Sequence, residues 1–155
     1  MLTITIPGRN PLKLEHLVLD YNGTIAVDGR LIEGLAERLE ELSESLDIYV
    51  VTADTHGNAA VQCRGLPARI LTYPQADVGP IKAQLVRELK GAVVSIGNGF
   101  NDLSMSECAD LSIAVIGTEG AYGPLLNVVD MVVCSIQDAL DLLLKPRRLT
   151  AGLRS

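Results

Sequence analysis

The stretch His16-Leu-Val-Leu-Asp20-Tyr-Asn-Gly-Thr24-Ile25 decides how the rest of this sequence is interpreted. Its apolar first half is typical of a buried parallel strand, and the pair Asn22-Gly23 is typical of a turn. Asp20 stands at the carboxyl end of that strand, and ligands bind at this edge of an open α/β sheet. Asp20 is therefore the main functional candidate, although an ordinary Asx turn with Asn22 and Gly23 explains the same residues.

Length and composition favour one α/β domain that spans residues 1–155. The chain is 48% hydrophobic but has no Trp and one Phe, so its core must consist of aliphatic side chains, as in parallel sheets covered by helices. A net charge of −6 argues against nucleic acid as a partner. No apolar run approaches the ~20 residues that cross a bilayer, so we expect a cytoplasmic protein without a membrane partner.

Two groups of residues are interpreted as structural. The cysteines Cys63, Cys108 and Cys134 are far apart and odd in number, which favours reduced core thiols over disulfides or a zinc site. The basic segment Lys145-Pro-Arg147-Arg148 is expected to end a helix.

Hydrophobic periodicity predicts strands that alternate with helices. A hairpin with Asp28-Gly29 at its tip is expected to form a flap at about 21–30, beside Asp20. Such alternation implies right-handed crossovers and a Rossmann-like parallel sheet sandwiched by helices. Strands are predicted at 2–6, 12–19, 47–52, 69–72, 93–96, 111–116 and 131–134, and helices at 31–45, 56–64, 77–90, from the 97–102 turn to 109, and 135–144 with Ser135 as N-cap.

Polar residues follow three of these strands directly. They are Asp20, Thr52 and the turn Gly97-Asn-Gly-Phe-Asn-Asp102, and Lys82 lies early on a helix that can reach them. A carboxylate can attack phosphorus, a hydroxyl and an ammonium can hold phosphate oxygens, and oxygen-rich groups can bind Mg²⁺. The combination suits phosphoryl transfer. Each residue also has an ordinary interpretation: Thr52 as a strand end, Lys82 as a solvated lysine and the turn as a plain loop.

In this order, Asp20-Tyr-Asn-Gly-Thr24, Thr52, Lys82 and Gly97-Asn-Gly-Phe-Asn-Asp102 resemble the four motifs of the haloacid dehalogenase superfamily. The resemblance covers nearly the whole chain and points in particular to small proteins related to the phosphorylation domain of P-type ATPases. It implies that Asp20 is a nucleophile that forms an aspartyl-phosphate. Thr52 would hydrogen-bond the phosphoryl oxygens, and Lys82 would neutralise charge on the reacting groups.

The same resemblance implies a Mg²⁺ cofactor. Its ligands would be the Asp20 carboxylate, the main-chain carbonyl of Asn22, and the turn that contains Asn98 and Asp102. Two residues depart from the usual pattern. Asn22 stands where phosphatases of this superfamily have an Asp general acid and base, and the loss of that role costs roughly 10²–10⁴ in rate. Asn98 replaces a metal-binding Asp, so the metal site has one negative charge less. Slow turnover, or none, is expected.

The spacing of the motifs limits the substrate. Only 27 residues separate Thr24 from Thr52, too few for a large cap domain or a nucleotide-binding insertion. We therefore expect a small phosphorylated substrate in an open site, which a homo-oligomer would complete. His56 either lines the crevice or begins a helix, and residues 119–123 are expected to form a rim loop. The alternative to an enzyme is a non-catalytic or regulatory protein that keeps the fold and binds phosphate or a partner.

Overall fold

The computed structural model describes residues 1–54, 56–73 and 77–154. Nine strands and six α-helices are present in these ranges, together with short 3-10 helices at Phe100–Asp102 and Gly123–Asn127. The strands are β1 (Leu2–Ile4), β2 (Leu12–Asp20), β3 (Ala26–Val27), β4 (Arg30–Leu31), β5 (Asp47–Thr52), β6 (Arg69–Thr72), β7 (Ala92–Gly97), β8 (Leu111–Val115) and β9 (Met131–Val133). The helices are α1 (Leu35–Ser43), α2 (Ala59–Gln62), α3 (Val78–Glu88), α4 (Leu103–Cys108), α5 (Ile136–Leu144) and α6 (Pro146–Leu153).

The main sheet is parallel and confirms the predicted α/β fold. Its order is β6-β5-β2-β7-β8-β9, with β1 paired antiparallel to the start of β2, and β3 and β4 form a separate hairpin. Every pairing along the main path is parallel. The chain order reverses between β2 and β7, and ligands bind at such a switch point in doubly wound sheets. Asp20 ends β2 at this point, and Asn98 follows β7.

Aliphatic side chains pack on both faces of the sheet. The larger cluster includes Leu17, Leu19 and Ile96, and the smaller one, on the other face, includes Val18 and Val93. Helix α5 contacts both α1 and α6 on one side, while α3 contacts α4 on the other. Alternate residues of β2 thus enter opposite cores, because successive strand side chains point to opposite faces. Across the three described ranges, no helix is both long and apolar enough to cross a bilayer.

Several helix boundaries in the structure differ from the predicted ones. The helix predicted at 31–45 begins at Leu35, because Leu31 pairs with Ala26 in the flap hairpin and Gly34 has a left-handed φ of 77°. The helix predicted at 56–64 is reduced to the four residues of α2, after a turn that contains His56. The predicted N-cap is confirmed, since Ser135 Oγ accepts the Asp138 N–H at 3.1 Å.

Two structural interpretations were wrong in part. The segment Lys145-Pro-Arg147-Arg148 does not simply end a helix: Lys145 caps α5, and Pro146 begins α6 at a first-turn position that tolerates proline. Helix α6 buries Leu149 against the larger core. The cysteines are free, but they are not all core residues, because Cys63 is buried, Cys108 half-buried and Cys134 exposed.

Candidate active site

The site is built around an ion pair between Asp20 and Lys82. Lys82 Nζ lies 2.5 Å from Asp20 Oδ1, the Lys82 side chain is completely buried, and that of Asp20 is 6% exposed. Lys82 is on α3, so the pair joins a helix to the carboxyl end of β2. The interpretation of Lys82 as a solvated helix residue is wrong.

Asp102 accepts hydrogen bonds from three donors. Lys82 Nζ donates to Asp102 Oδ1 at 2.7 Å, while the N–H groups of Asn98 and Gly99 donate to Oδ2 at 2.9 and 2.8 Å. A side chain at Gly97 would place a Cβ 2.4 Å from Asp102 Cγ, so this position needs glycine for the carboxylate to approach. Asp102 thus fixes the turn after β7 and the position of Lys82 together.

Thr24 connects the two halves of the site, and the sequence analysis did not include it among the site residues. Its hydroxyl lies 3.1 Å from Asp20 Oδ2 and 3.3 Å from Asn98 Oδ1, and both atoms are acceptors for its one proton. Thr24 itself is fully buried. The signal was present in the motif Asp20-Tyr-Asn-Gly-Thr24, where a hydroxyl residue follows the turn that returns the chain toward the strand end.

Hydrogen bonds fix both the side chain and the backbone of Asn98. Its Nδ2 donates to the Gly120 carbonyl at 3.0 Å, and its own carbonyl accepts the Tyr122 N–H at 2.8 Å. These bonds attach two residues of the segment 119–123, where a rim loop was predicted, to Asn98. They also direct the amide oxygen of Asn98 toward Thr24 and Asp20. A Cβ at Gly23 would lie 2.2 Å from Asn98 Nδ2, and Gly23 has a left-handed φ of 78°.

The cleft beside Asp20 has a volume of about 390 Å³. Thr52 lines it, is 1% exposed, and accepts the Asp54 N–H at 2.9 Å through its hydroxyl oxygen. Asn22 also lines it, and its Oδ1 is buried with no hydrogen-bond partner in the structure described. The complete lining is Asp20, Asn22, Thr52, Ala53, Asn98, Gly99, Phe100 and Asn101. Lys82 and Asp102 lie outside this lining, so they act on the cleft through Asp20 and the turn.

A second cavity of about 350 Å³ is lined by Thr24, Ile32 and Ser135, among other residues. Asp20 does not line it. His56 belongs to neither cavity in the described structure; its ring packs so closely on the flap tip that a Cβ at Gly29 would lie 2.7 Å from the ring. The cleft that contains Asp20 is therefore the candidate active site, and His56 supports the flap from beside it.

The charges of the site alter the pKa of its groups. Burial and the nearby charge of Asp102 raise the pKa of Asp20 from 3.8 to about 6, although the Lys82 ammonium opposes this. Burial alone would lower the pKa of Lys82, but Asp20 and Asp102 outweigh it and raise the pKa above its ordinary value. Lys82 is thus held as an ammonium between two carboxylates.

The oxygen atoms around Thr24 fit a magnesium ion. Asp20 Oδ2 and Asn98 Oδ1 both lie within 3.3 Å of the Thr24 hydroxyl. Mg²⁺ is usually held by one or two carboxylates with waters and substrate phosphate, not by a complete protein cage. Accordingly, no group of three His, Cys, Asp or Glu side chains able to hold a metal occurs in the ranges that the structure describes. Both oxygens of Asp102 already accept hydrogen bonds.

Comparison with known proteins agrees with this fold. A solved structure of 3-deoxy-D-manno-octulosonate 8-phosphate phosphatase from Moraxella catarrhalis, in complex with magnesium, phosphate and the KDO molecule, superimposes with a TM-score of 0.71. The two sequences are 13% identical, and the match covers 90% of this chain and 91% of the other. No family model matches the sequence. The described part of the chain thus has the fold of haloacid dehalogenase-type phosphatases, and its motifs stand in an order that resembles that superfamily.

The chain belongs to the same family as the uncharacterized protein MJ0073 of Methanocaldococcus jannaschii. The two are 45% identical over 78 residues, which are 47% of this chain and 84% of MJ0073. The chain is also 31% identical over 114 residues to the phospholipid-transporting ATPase NEO1 of Saccharomyces cerevisiae, a match that covers 73% of this chain. It spans only 8% of that much longer protein.

Proposed function

We propose that this protein is a phosphohydrolase that acts on a small phosphorylated compound through an aspartyl-phosphate at Asp20. The observation that carries the proposal is the placement of Asp20. Its Oδ1 is paired with Lys82 while its carboxylate borders an open cleft. A carboxylate fixed in this way is preorganised as a nucleophile, because its orientation does not have to be set during the reaction. The phosphatase structure that superimposes on this chain supports the same reaction class.

The chain's own residues account for the first step. A carboxylate oxygen of Asp20 attacks phosphorus, and the bond between phosphorus and the leaving-group oxygen breaks, with its electron pair retained by that oxygen. Thr52 offers a hydroxyl at the cleft wall for the phosphoryl oxygens. The Lys82 ammonium compensates the negative charge of Asp20 at Oδ1, and the Thr24 hydroxyl donates a hydrogen bond to Oδ2.

Mg²⁺ fits the same group of oxygens. The Asp20 carboxylate, the Asn98 amide oxygen and the main-chain carbonyl of Asn22 would hold it, and Asp102 would contribute from outside by positioning Asn98 and Lys82. When bound, the ion neutralises charge on the transferring phosphoryl group. Asn98 brings no negative charge, so affinity for the ion is expected to be modest.

Asn22 limits the second step. Hydrolysis of the aspartyl-phosphate requires a water molecule to lose a proton, and an amide cannot accept one near neutral pH. The phosphoenzyme is therefore expected to be long-lived, which also permits transfer to an acceptor other than water. The same amide cannot protonate a leaving group, so substrates whose leaving group departs as a stable anion are favoured.

The test is intact-protein mass spectrometry after incubation with acetyl phosphate and Mg²⁺. We expect a mass increase of one phosphoryl group that decays slowly, requires Mg²⁺ and is absent from Asp20→Asn. Asp47→Asn is the matched control, because Asp47 is an exposed carboxylate at the opposite end of the neighbouring strand β5. Absence of the adduct in folded wild-type protein, or an adduct that survives Asp20→Asn, would reject the proposal and favour a phosphate-binding or regulatory protein.

A further inference from the structure

Two aromatic residues in contact with each other, one of which lines the cleft, have no part in the chemistry proposed above. Phe100 lines the cleft and is 69% exposed, and Tyr122 is 37% exposed. Their rings meet edge to face, with centroids 5.3 Å apart and planes at 86°. Phe100 is the single Phe of the chain, and it stands in the same turn as Asn98. A large apolar ring thus lines the same cleft as Asp20 and is largely exposed to water.

The ring pair is held in place by the residues that form the site. The Tyr122 N–H donates to the Asn98 carbonyl at 2.8 Å, and the Tyr122 carbonyl accepts the Leu125 N–H at 3.0 Å. On the other side, the Asp102 N–H closes the turn around Phe100 by donating to Gly99 at 3.1 Å. Phe100 is therefore already positioned against Tyr122 in the absence of a ligand. Ligand binding then costs little conformational entropy at this side chain.

The rest of the described lining indicates what the ring can bind. Apart from Asp20, this lining consists of uncharged residues, so a ligand group beyond the phosphate meets no cation on the cleft surface. A second anionic group would find no counter-charge there. An uncharged flat ring, in contrast, can stack on Phe100, since an aromatic pair is stabilised by more than the burial of its apolar area.

Asn22 leads independently to the same class of ligand. Its amide cannot donate a proton to the departing oxygen at neutral pH. A phenol-type oxygen is a far better anion than an alkyl alkoxide, because its charge is delocalised into the ring. A phosphate ester of a phenol therefore suits this site for two reasons. Its ring can stack on the cleft wall, and its leaving group needs no proton from an acid.

We propose that Phe100, braced by Tyr122, is a specificity residue that stacks on an aromatic ring carried next to the substrate phosphate, so that the site selects aryl-type phosphate monoesters. The proposal rests on the proposed function for the reaction itself. Its binding component is independent of turnover and can be measured with ligands that do not react.

The probes are phenylphosphonate and methylphosphonate, each titrated with Mg²⁺ into the full chain. We expect phenylphosphonate to bind more tightly, and we expect Phe100→Leu to reduce that preference roughly two- to tenfold. Phe100→Tyr, which keeps the ring, is expected to retain the preference. Val61→Ala is the matched control, because Val61 is 60% exposed on α2, away from the cleft lining. Since the chain has one Phe, the aromatic NMR signals of Phe100 are expected to shift with phenylphosphonate and not with methylphosphonate.

Three results would overturn the inference. They are an equal affinity for both probes, a preference that Phe100→Leu leaves unchanged, and a Phe100→Leu variant that changes only the oligomeric state, which would assign the ring to a subunit contact. The acetyl phosphate adduct separates these results from failure of the proposed function. A normal adduct with no aryl preference rejects only the specificity, whereas a Phe100-dependent aryl preference without an adduct rejects only the catalysis.

Discussion

The Lys82 ammonium lies 2.7 Å from Asp102 Oδ1, and neither side chain has any exposure to solvent. The same ammonium pairs with Asp20, so a single cation compensates two carboxylates in the interior. Charges are buried in proteins only when they are paired and hydrogen-bonded, since an isolated one loses its hydration. The position of the Asp20 carboxylate thus depends on a residue that does not line the cleft.

Lys82→Met is expected to destabilise the protein strongly. The substitution leaves two buried carboxylates facing each other without a cation, and removal of one partner of a buried ion pair costs about 3–5 kcal/mol. Urea unfolding at pH 7 measures the loss. Lys90→Met, which removes an exposed lysine after α3, is the control and is expected to change the free energy of unfolding by less than about 0.5 kcal/mol. Equal effects of the two substitutions would contradict the role assigned to Lys82.

The stability of the metal-free protein is expected to depend on pH through Asp20. Its pKa is about 6 in the folded protein against 3.8 ordinarily, so between these values the folded state binds a proton that the unfolded state has released. This contribution is present below pH 4 and is lost as the pH rises through 6. It amounts to about 3 kcal/mol at most.

The measurement compares wild type with Asp20→Asn in EDTA between pH 4 and pH 8. The stability of wild type relative to the variant is expected to fall as the pH rises, because only wild type must ionise a buried carboxyl. Asp47→Asn corrects for the removal of an exposed carboxylate. A difference between wild type and Asp20→Asn that is constant across this range would show that Asp20 titrates normally in the fold.

The sequence was sufficient for the sheet and for the residues at its edge. Apolar runs such as 47–52 coincide with strands, and parallel pairing then brings Asp20, Thr52 and Asn98 to one edge without further information. The positions of side chains were harder to predict from the sequence. Whether Lys82 was solvated or buried depended on the rotation of α3 against the sheet, and helical periodicity does not fix that to a single residue.

Gly23 is expected to be far more sensitive to substitution than Gly8. Both have left-handed backbone, with φ of 78° and 81°, so alanine costs about 1–2 kcal/mol at either. A Cβ at Gly23 would also meet Asn98 Nδ2 at 2.2 Å, whereas at Gly8 it meets nothing within 4 Å. Gly23→Ala should therefore slow phosphoenzyme formation as well as destabilise the fold. Gly8→Ala is the control for backbone strain alone, and equal activity of the two variants would exclude a role of the Gly23–Asn98 contact.

Thr24→Val is expected to slow phosphorylation of Asp20 more than it affects stability. Valine has a similar shape but leaves Asp20 Oδ2 and Asn98 Oδ1 without their shared donor, at a cost of about 1 kcal/mol. The rate of adduct formation with acetyl phosphate should fall roughly tenfold, because the nucleophile is less well oriented. Thr24→Ser restores the hydroxyl and is expected to recover most of the rate. Failure of Ser to recover it would indicate that the methyl packing of Thr24, not its hydrogen bond, matters.

Some contacts between distant segments could not be predicted from the sequence. Tyr122 anchors Asn98 through backbone atoms, which carry no sequence signal. Helix α6 was not predicted, because cations favour a helix end and the basic segment 145–148 was assigned to one, although its proline is also favoured at a helix start. Only the position of Leu149 in the core distinguishes the two, and that depends on the packing of α6 on the rest of the fold.

Asn22→Asp is expected to convert a slow phosphoenzyme into a turning-over phosphatase. The side-chain oxygen of Asn22 is buried, unpartnered in the described structure and beside the cleft, so a carboxyl group at this position would have a free oxygen to accept the proton of an attacking water. General acid–base catalysis contributes about 10²–10⁴ in rate, and the decay of the phosphoryl adduct should accelerate by a factor in that range. The substitution should also broaden substrate use toward alkyl phosphates, whose leaving oxygen needs a proton.

The measurement is phosphate release with phenyl phosphate and methyl phosphate, with the double variant Asp20→Asn/Asn22→Asp as control. A gain in release that persists without Asp20 would show that the new carboxyl acts by a route other than the aspartyl-phosphate.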